Sequence, residues 1–311
     1  MLGKVIKSSG KNYLVELENL ELINANIQGK FRLEDIKTTN PLAAGDVVIV
    51  KQNQKQDYSI ESILPRKNYL VRKSTNLSKQ MQILAANIDH IYILATLRHP
   101  VTHLNFINRI LVAAESYRIN ASILFNKIDL YHEKDFLKAE KLMKTYQEIG
   151  YSCHLISTKQ RNTIKFLIQE IMDKQFMMVG NSRVGKSSLV NAIDHNLNLK
   201  IGDLSTSHEQ GKHTTTFAEM HKISTGGYLI DTPGIRAFGL FDLNKEHLSH
   251  YFPEMRREMD RCRYNNCTHI EEPECAIKKN ILEGKIAESR YETYLQLMTD
   301  DQGPYRRNDY K

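Results

Sequence analysis

The chain has 311 residues, 41% of them hydrophobic and 25% charged, with 43 Lys+Arg against 36 Asp+Glu for a formal net charge of +7. That balance excludes wholesale disorder, and no apolar run approaches the roughly 20 residues of a bilayer-spanning helix. Charges interleaved through MLGKVIKSSGKNYLVELE argue against a signal peptide, so a cytoplasmic protein of two or three domains is expected, with a polyanionic partner permitted but not required.

Residues 1–64 carry five short strand-like runs, GKVIKS, NYLVELE, LINANI, GDVVIV and YSIESI, separated by Gly, Asn, Asp and Lys. The pattern predicts a small β-barrel; OB and SH3-like barrels leave nearly the same trace, and the barrel can bind a partner or be purely structural. Residues 65–240 alternate differently. The apolar runs IYILATL, ASILFNKIDL, CHLIS, FMMVG and YLIDTPG read as buried parallel strands, and NFINRILVAAESYRI, EKDFLKAEKLMKTYQEIG and RNTIKFLIQEIMDK as helices between them. This predicts an α/β domain with a mostly parallel sheet. In residues 241–311, HLSHYFPEMRREM and KNILEGKIAESRYETYLQLM predict a mainly helical domain around a cysteine cluster, with a polar tail GPYRRNDYK.

Between the strand FMMV and the helix SLVNAID stands GNSRVGKSS: Gly180, Asn181, Ser182, Arg183, Val184, Gly185, Lys186, Ser187 and Ser188. This is a phosphate loop in its strand–loop–helix setting. The glycines let successive backbone N–H groups face phosphate oxygens, Lys186 supplies an ammonium, and Ser187 offers a hydroxyl to Mg²⁺. DTPG follows the strand GGYLI: Asp231 suits Mg²⁺ through water, and Gly234 can offer its N–H to a γ-phosphate. FNKID places Asn126, Lys127 and Asp129 after the strand ASILF. An ionised Asp129 can accept both the ring N–H and the exocyclic amino group of guanine, a polarity adenine does not match. Lys127 can lie along the base plane, and Asn126 can tie its loop to the phosphate loop. An ATP-binding site is therefore the weaker alternative.

The order of these elements is permuted. N-K-x-D precedes the phosphate loop, with Ser157, Thr158 and Lys159 between them at the position of a base-supporting Ser-Ala-Lys loop. A circularly permuted GTPase domain satisfies all of these positions and leaves the spatial site unchanged. Between the phosphate loop and DTPG, GKHTTTF offers Thr214, Thr215 and Thr216 as candidates for sensing the γ-phosphate and Mg²⁺. Ile235 stands where many GTPases place a water-orienting Gln, which predicts slow intrinsic hydrolysis. His213 can position the water, so His213, Thr215 and Lys186 are the candidate catalytic set. Farther on, Cys262, Cys267, His269 and Cys275 offer three thiols and an imidazole in one short polar loop, a donor set suited to one structural Zn²⁺ with no open position.

Taken together and in this order, the strand-rich N-terminus, NKID, STK, GNSRVGKSS, GKHTTT, DTPG and the Cys3His loop resemble the ribosome small subunit-dependent GTPase A family (RsgA, also called YjeQ) over essentially the whole chain. The resemblance implies an N-terminal OB-fold, a circularly permuted GTPase domain and a C-terminal zinc-binding domain. It implies GTP and GDP as ligands and a cytoplasmic factor acting late in small-subunit maturation. Hydrolysis would be stimulated by the subunit, with 16S rRNA and the assembled subunit as partners. A monomer is the default expectation. Thr158 stands for the family's usual Ala, and Lys212 for an Arg often found before the switch His. The competing expectation is a GTP-sensing RNA-binding adaptor in which hydrolysis is incidental. The excess charge sits centrally: residues 1–64 hold 8 basic and 8 acidic residues, 65–242 hold 23 and 15, and 243–311 hold 12 and 13. Arg66, Lys67, Arg72, Lys73 and Lys79 form an acid-free run at the barrel–GTPase joint that could meet RNA backbone.

Overall fold

The computed structural model describes residues 1–10, 12–27, 41–53, 57–73, 81–197, 218–232 and 245–299. Strands β1 (Leu2–Ser9), β2 (Asn12–Leu17), β3 (Leu22–Ile27), β4 (Val47–Gln52) and β5 (Tyr58–Ile63) are the five expected from the sequence. They run β1-β2-β3-β5-β4 and close through β1–β4, with β3 and β5 parallel. This is an OB-like five-stranded barrel. Alternation sends Val5, Tyr13, Val15, Ile23, Val48, Val50 and Ile60 inward, where they form one core.

An antiparallel pair, β6 (Tyr69–Lys73) and β7 (Met81–Ala86), follows. The sequence pattern did not predict it, because the polar and basic residues of its first strand and connection blur the period-2 signal. Ala85 of β7 bridges to Ala44 beside the barrel.

The central domain contains β8 (His90–Ala95), α1 (Leu104–Ser116), β9 (Asn120–Phe125), α2 (Glu133–Ile149), β10 (Ser152–Leu155), α3 (Lys165–Glu170), β11 (Gln175–Val179), α4 (Lys186–Ile193), β12 (Glu219–Lys222) and β13 (Tyr228–Asp231). Its strands lie in the order β10-β9-β8-β11-β13-β12. The first five are parallel, and β12 runs antiparallel to β13. Strand β8 shows why these runs are apolar throughout. Ile91, Ile93 and Ala95 enter the core that includes Ile107 and Leu111 of α1. Tyr92 and Leu94 enter the opposite core with Leu167 of α3 and Leu189 of α4. Beyond β12 the sheet continues into β1, so barrel and GTPase-type domain share one eleven-stranded sheet.

Two helical expectations need revision. RNTIKFLIQEIMDK forms only α3, preceded by a 3-10 turn at Arg161–Thr163; Asn162, Thr163 and Ile164 are weak helix formers at its start. HLSHYFPEMRREM breaks at Pro253, which opens α5 (Pro253–Arg256) after a 3-10 segment, Lys245–Tyr251. A proline lacks the N–H needed to continue a helix but suits its first position. The C-terminal expectation resolves into α6 (Ala276–Leu282) and α7 (Glu288–Thr299). Their core of Leu248, Phe252, Met255, Ile277, Ile286, Tyr294 and Leu297 also takes in Val112 of α1. Where α7 meets α1, the buried Arg290 pairs with Glu254 at 2.6 Å, while Asn108 donates to Ser289 O and Thr293 Oγ1, both at 3.0 Å.

The basic run at the joint is partly committed within the fold. Arg66 Nε and Nη2 donate to the buried Asp46 carboxylate at 2.6 and 2.7 Å. Lys67 Nζ pairs with Asp89 at 2.8 Å but stays largely exposed. Arg66 is therefore a weld between chain segments and is not free to meet a polyanion.

Candidate nucleotide site and metal centre

Parallel strands explain why residues scattered over a hundred positions meet. Asn126 follows the carboxyl end of β9, Ser157 that of β10, Gly180 that of β11, and Asp231 ends β13. The carboxyl edge of such a sheet is where α/β folds bind ligands. At that edge the phosphate loop is tightly fitted. A Cβ on Gly180 would lie 2.7 Å from Leu94 O, and one on Gly185 would lie 2.5 Å from Asn126 Nδ2. Gly185 also has φ +102°, in the left-handed region that glycine tolerates. Asn126 Nδ2 donates to Val184 O at 2.8 Å, so the Asn-Lys-Ile-Asp loop is tied to the phosphate loop as its sequence suggested. Asn126 Oδ1 is buried with no partner among the described residues.

Lys186 opens α4 and is only 5% exposed. Its ammonium donates to Gly180 O at 2.8 Å and Asn181 O at 2.9 Å, which keeps a positive charge inside the loop. Ser187, the next residue, is also buried. The remaining loop residues Asn181, Ser182, Arg183, Val184 and Ser188 lie between or beside these groups, with Arg183 at φ +65°. Loop and charge fit a nucleotide's phosphates, and Ser187 with Asp231 would hold Mg²⁺ there.

At the base-reading end, Ser157 Oγ donates to Asp129 Oδ1 at 2.6 Å and Lys159 Nζ lies 2.9 Å from Asp129 Oδ2. Burial alone would raise the Asp129 pKa, but these donors outweigh it and hold the carboxyl below its usual range. Asp129 is thus ionised at neutral pH, as acceptance from two guanine N–H groups requires. Thr158 sits between its two partners in sequence. Lys127, at φ +66°, donates to His99 O at 2.5 Å. Asp129→Asn is expected to weaken GTP binding by about 10²–10⁴-fold, for two charge-assisted hydrogen bonds, and to shift preference toward xanthosine triphosphate. Competitive binding of the two nucleotides measures this; retained GTP preference would contradict the base-reading role.

His213, Thr214, Thr215, Thr216, Gly234, Ile235 and Lys79 lie outside the described residues. Sequence reasoning missed Thr163, whose Oγ1 accepts from Ser157 N at 2.9 Å and donates to Ser157 O at 3.1 Å, steadying the Ser-Thr-Lys loop. No motif marks such a residue. Strand β12, four residues with mixed polarity, was missed for the same lack of signal.

The metal-type donors converge as expected. One ligand atom from each of Cys262, Cys267, His269 and Cys275 lies within 4.8 Å of the others. His269 Nδ1 is 3.6 Å from both the Cys262 and Cys275 sulfurs. Burial pushes the Cys267 thiol up to about 12, with the Cys275 and Cys262 sulfurs adding to the rise. A bound divalent cation reverses that, since a coordinating thiol is deprotonated. The donors therefore fit a tetrahedral structural zinc. Their loop is held by Glu272, which accepts from Thr268 N and Oγ1, both at 2.6 Å. Tyr291 and Tyr294 of α7 donate to His269 O and Thr268 O at 2.7 and 2.6 Å. In the described residues, no helix is long and apolar enough to cross a membrane.

Comparison with known proteins gives the same picture over the full length. Residues 63–241 match the family model described as RsgA GTPase. The chain is 44% identical to the small ribosomal subunit biogenesis GTPase RsgA of Bacteroides fragilis, over 98% of this chain and 99% of that protein. It is also 44% identical to the protein of the same name from Flavobacterium psychrophilum, over 100% and 96%. Among solved structures, YjeQ from Thermotoga maritima superposes with a TM-score of 0.77 at 33% identity, covering 96% of each chain. YloQ, a circularly permuted GTPase, gives 0.74 at 26% identity, covering 98% of this chain and 96% of that one. A site built at one sheet edge from permuted guanine-nucleotide motifs, matched by relatives along the whole sequence, places this chain in the RsgA GTPase family.

Proposed function

We propose that this GTPase acts in maturation of the small ribosomal subunit, docking in its GTP-bound form, hydrolysing GTP to GDP and phosphate with stimulation by the subunit, and leaving afterwards. The observation that carries the reading is the convergence of Asn126, Asp129, Ser157, Gly180–Ser188 and Asp231 at one sheet edge, in a domain flanked by the barrel and the cysteine-rich module. The domains of this reading are 1–64, 65–240 and 241–311. Lys186 draws charge from the transferring phosphate, Asp129 and Ser157–Lys159 fix the base, and Asn126 keeps the two loops in register. Mg²⁺ at Ser187 and Asp231 would neutralise phosphate charge. His213 would position the attacking water, and one of Thr214–Thr216 would sense the γ-phosphate. The zinc held by Cys262, Cys267, His269 and Cys275 is structural. The partner is the assembled subunit with its 16S rRNA, met by a cytoplasmic monomer.

Co-sedimentation tests the docking step. With a non-hydrolysable GTP analogue the chain is expected to pellet with purified small subunits, and with GDP to stay in the supernatant. Equal partition in the two nucleotide states would contradict nucleotide-controlled docking.

A further inference from the structure

Strand β12 follows Thr214–Thr216 in the chain and leads to β13, which ends at Asp231, and it is the strand that pairs with β1 of the barrel. Its register is informative. Lys7 of β1 stands opposite Glu219, and Glu219 stands opposite Asp231. Directly opposed residues project on the same face of a sheet, so these three side chains form one row running from the barrel to the Mg²⁺-type carboxylate. Glu219 and Asp231 are like charges at neighbouring positions, which repel each other. Lys7 Nζ lies 2.5 Å from Glu219 Oε2 and draws that carboxylate toward the barrel. The far end of β12 is held too. Lys222 Nζ pairs with Glu16 of β2 at 2.9 Å, Tyr228 donates to the same carboxylate, and Lys4 Nζ stands 4.2 Å above the Tyr228 ring. Among the described residues the backbone ladder between β1 and β12 has a single aligned pair, and side-chain pairs add to this joint.

Resting on the GTPase reading above, we propose that Lys7 is a positioning residue for the nucleotide site. By neutralising Glu219, it leaves Asp231 as the one carboxylate acting on the metal, and it couples the seating of the barrel to Mg²⁺–nucleotide binding. Without Lys7, an uncompensated Glu219 adds negative charge beside the site, which attracts a divalent cation and repels phosphate. The coupling is reciprocal: whatever pulls the barrel from β12 changes nucleotide binding, and nucleotide binding changes how firmly the barrel is held.

Fluorescent GDP and GTP titrations at low ionic strength, with and without Mg²⁺, test this on the full chain. For Lys7→Met the Mg²⁺ concentration at half-maximal nucleotide binding is expected to fall, and Mg²⁺-free GDP affinity to weaken, each by about three- to tenfold. Adding Glu219→Gln removes the charge that needed neutralising and is expected to restore both values. Lys222→Met breaks the other pair without altering charge beside Asp231; it is expected to lower the melting temperature and leave the Mg²⁺ midpoint in place. Unmoved values in Lys7→Met with normal wild-type binding, or a double variant no better than Lys7→Met alone, would overturn the proposal while leaving the GTPase reading intact. A wild-type chain that bound no guanine nucleotide would overturn both.

Discussion

Replacing Cys275 by Ser is expected to release zinc and to loosen the whole C-terminal module, not merely its loop. The reason lies in α7. One side of this helix holds the metal loop through Tyr291 and Tyr294, and another meets Asn108 of the central domain through Thr293, with Arg290 Nη1 3.5 Å from Asn108 Oδ1. Once the loop is free, the tyrosines lose their backbone acceptors and α7 loses part of its seat. The consequence reaches Arg290, which is 1% exposed, stacks 4.7 Å from the Phe252 ring and is paired with Glu254. Breaking such a buried pair costs about 3–5 kcal/mol because a charge is left uncompensated. A loss of that size lowers the first thermal transition by roughly 10 °C or more. Elemental analysis and a melting curve check the two parts, and chelator treatment of the wild type is expected to reproduce both. Unchanged metal content in Cys275→Ser would contradict the ligand assignment.

Lys186→Ala is expected to lower GTP turnover by about 10²–10³-fold, the scale of one preorganised donor aimed at developing charge. Lys186 holds a buried ammonium 2.8 and 2.9 Å from the loop carbonyls of Gly180 and Asn181, so its charge is already desolvated and in place before nucleotide arrives. A low-dielectric, prepaid position makes the ammonium worth more than a surface lysine would be. Alanine is a good residue for a helix start, so α4 is expected to persist. Steady-state phosphate release measures the effect, and wild-type turnover would remove Lys186 from the site.

Much of this was legible in the chain because its strongest signals are local. A phosphate loop needs its residues at fixed offsets between a strand and a helix, and an apolar run such as IYILATL announces a strand buried on both faces. Asn126 and Asp129 were readable since base recognition and loop tying demand those side chains. What could not be read depends on partners remote in sequence. The Arg66–Asp46 ion pair spans 20 residues, and it turned a charge expected to be available for a partner into an internal weld. The Lys7–Glu219 pair spans 212 residues and joins two domains through a strand of four residues. No period or motif marks either pair. Pro253 is visible in the sequence, but the apolar spacing around it reads as one helix, whereas the chain forms a 3-10 segment and the short α5 there.

The most direct measurement is GTP turnover by the purified chain with and without purified small ribosomal subunits at low salt. Slow intrinsic hydrolysis that rises at least about tenfold with subunits, a gain of roughly 1.4 kcal/mol in barrier lowering, is the expected result. Turnover that the subunits leave unchanged would contradict the account and favour a GTP-sensing adaptor in which hydrolysis is incidental.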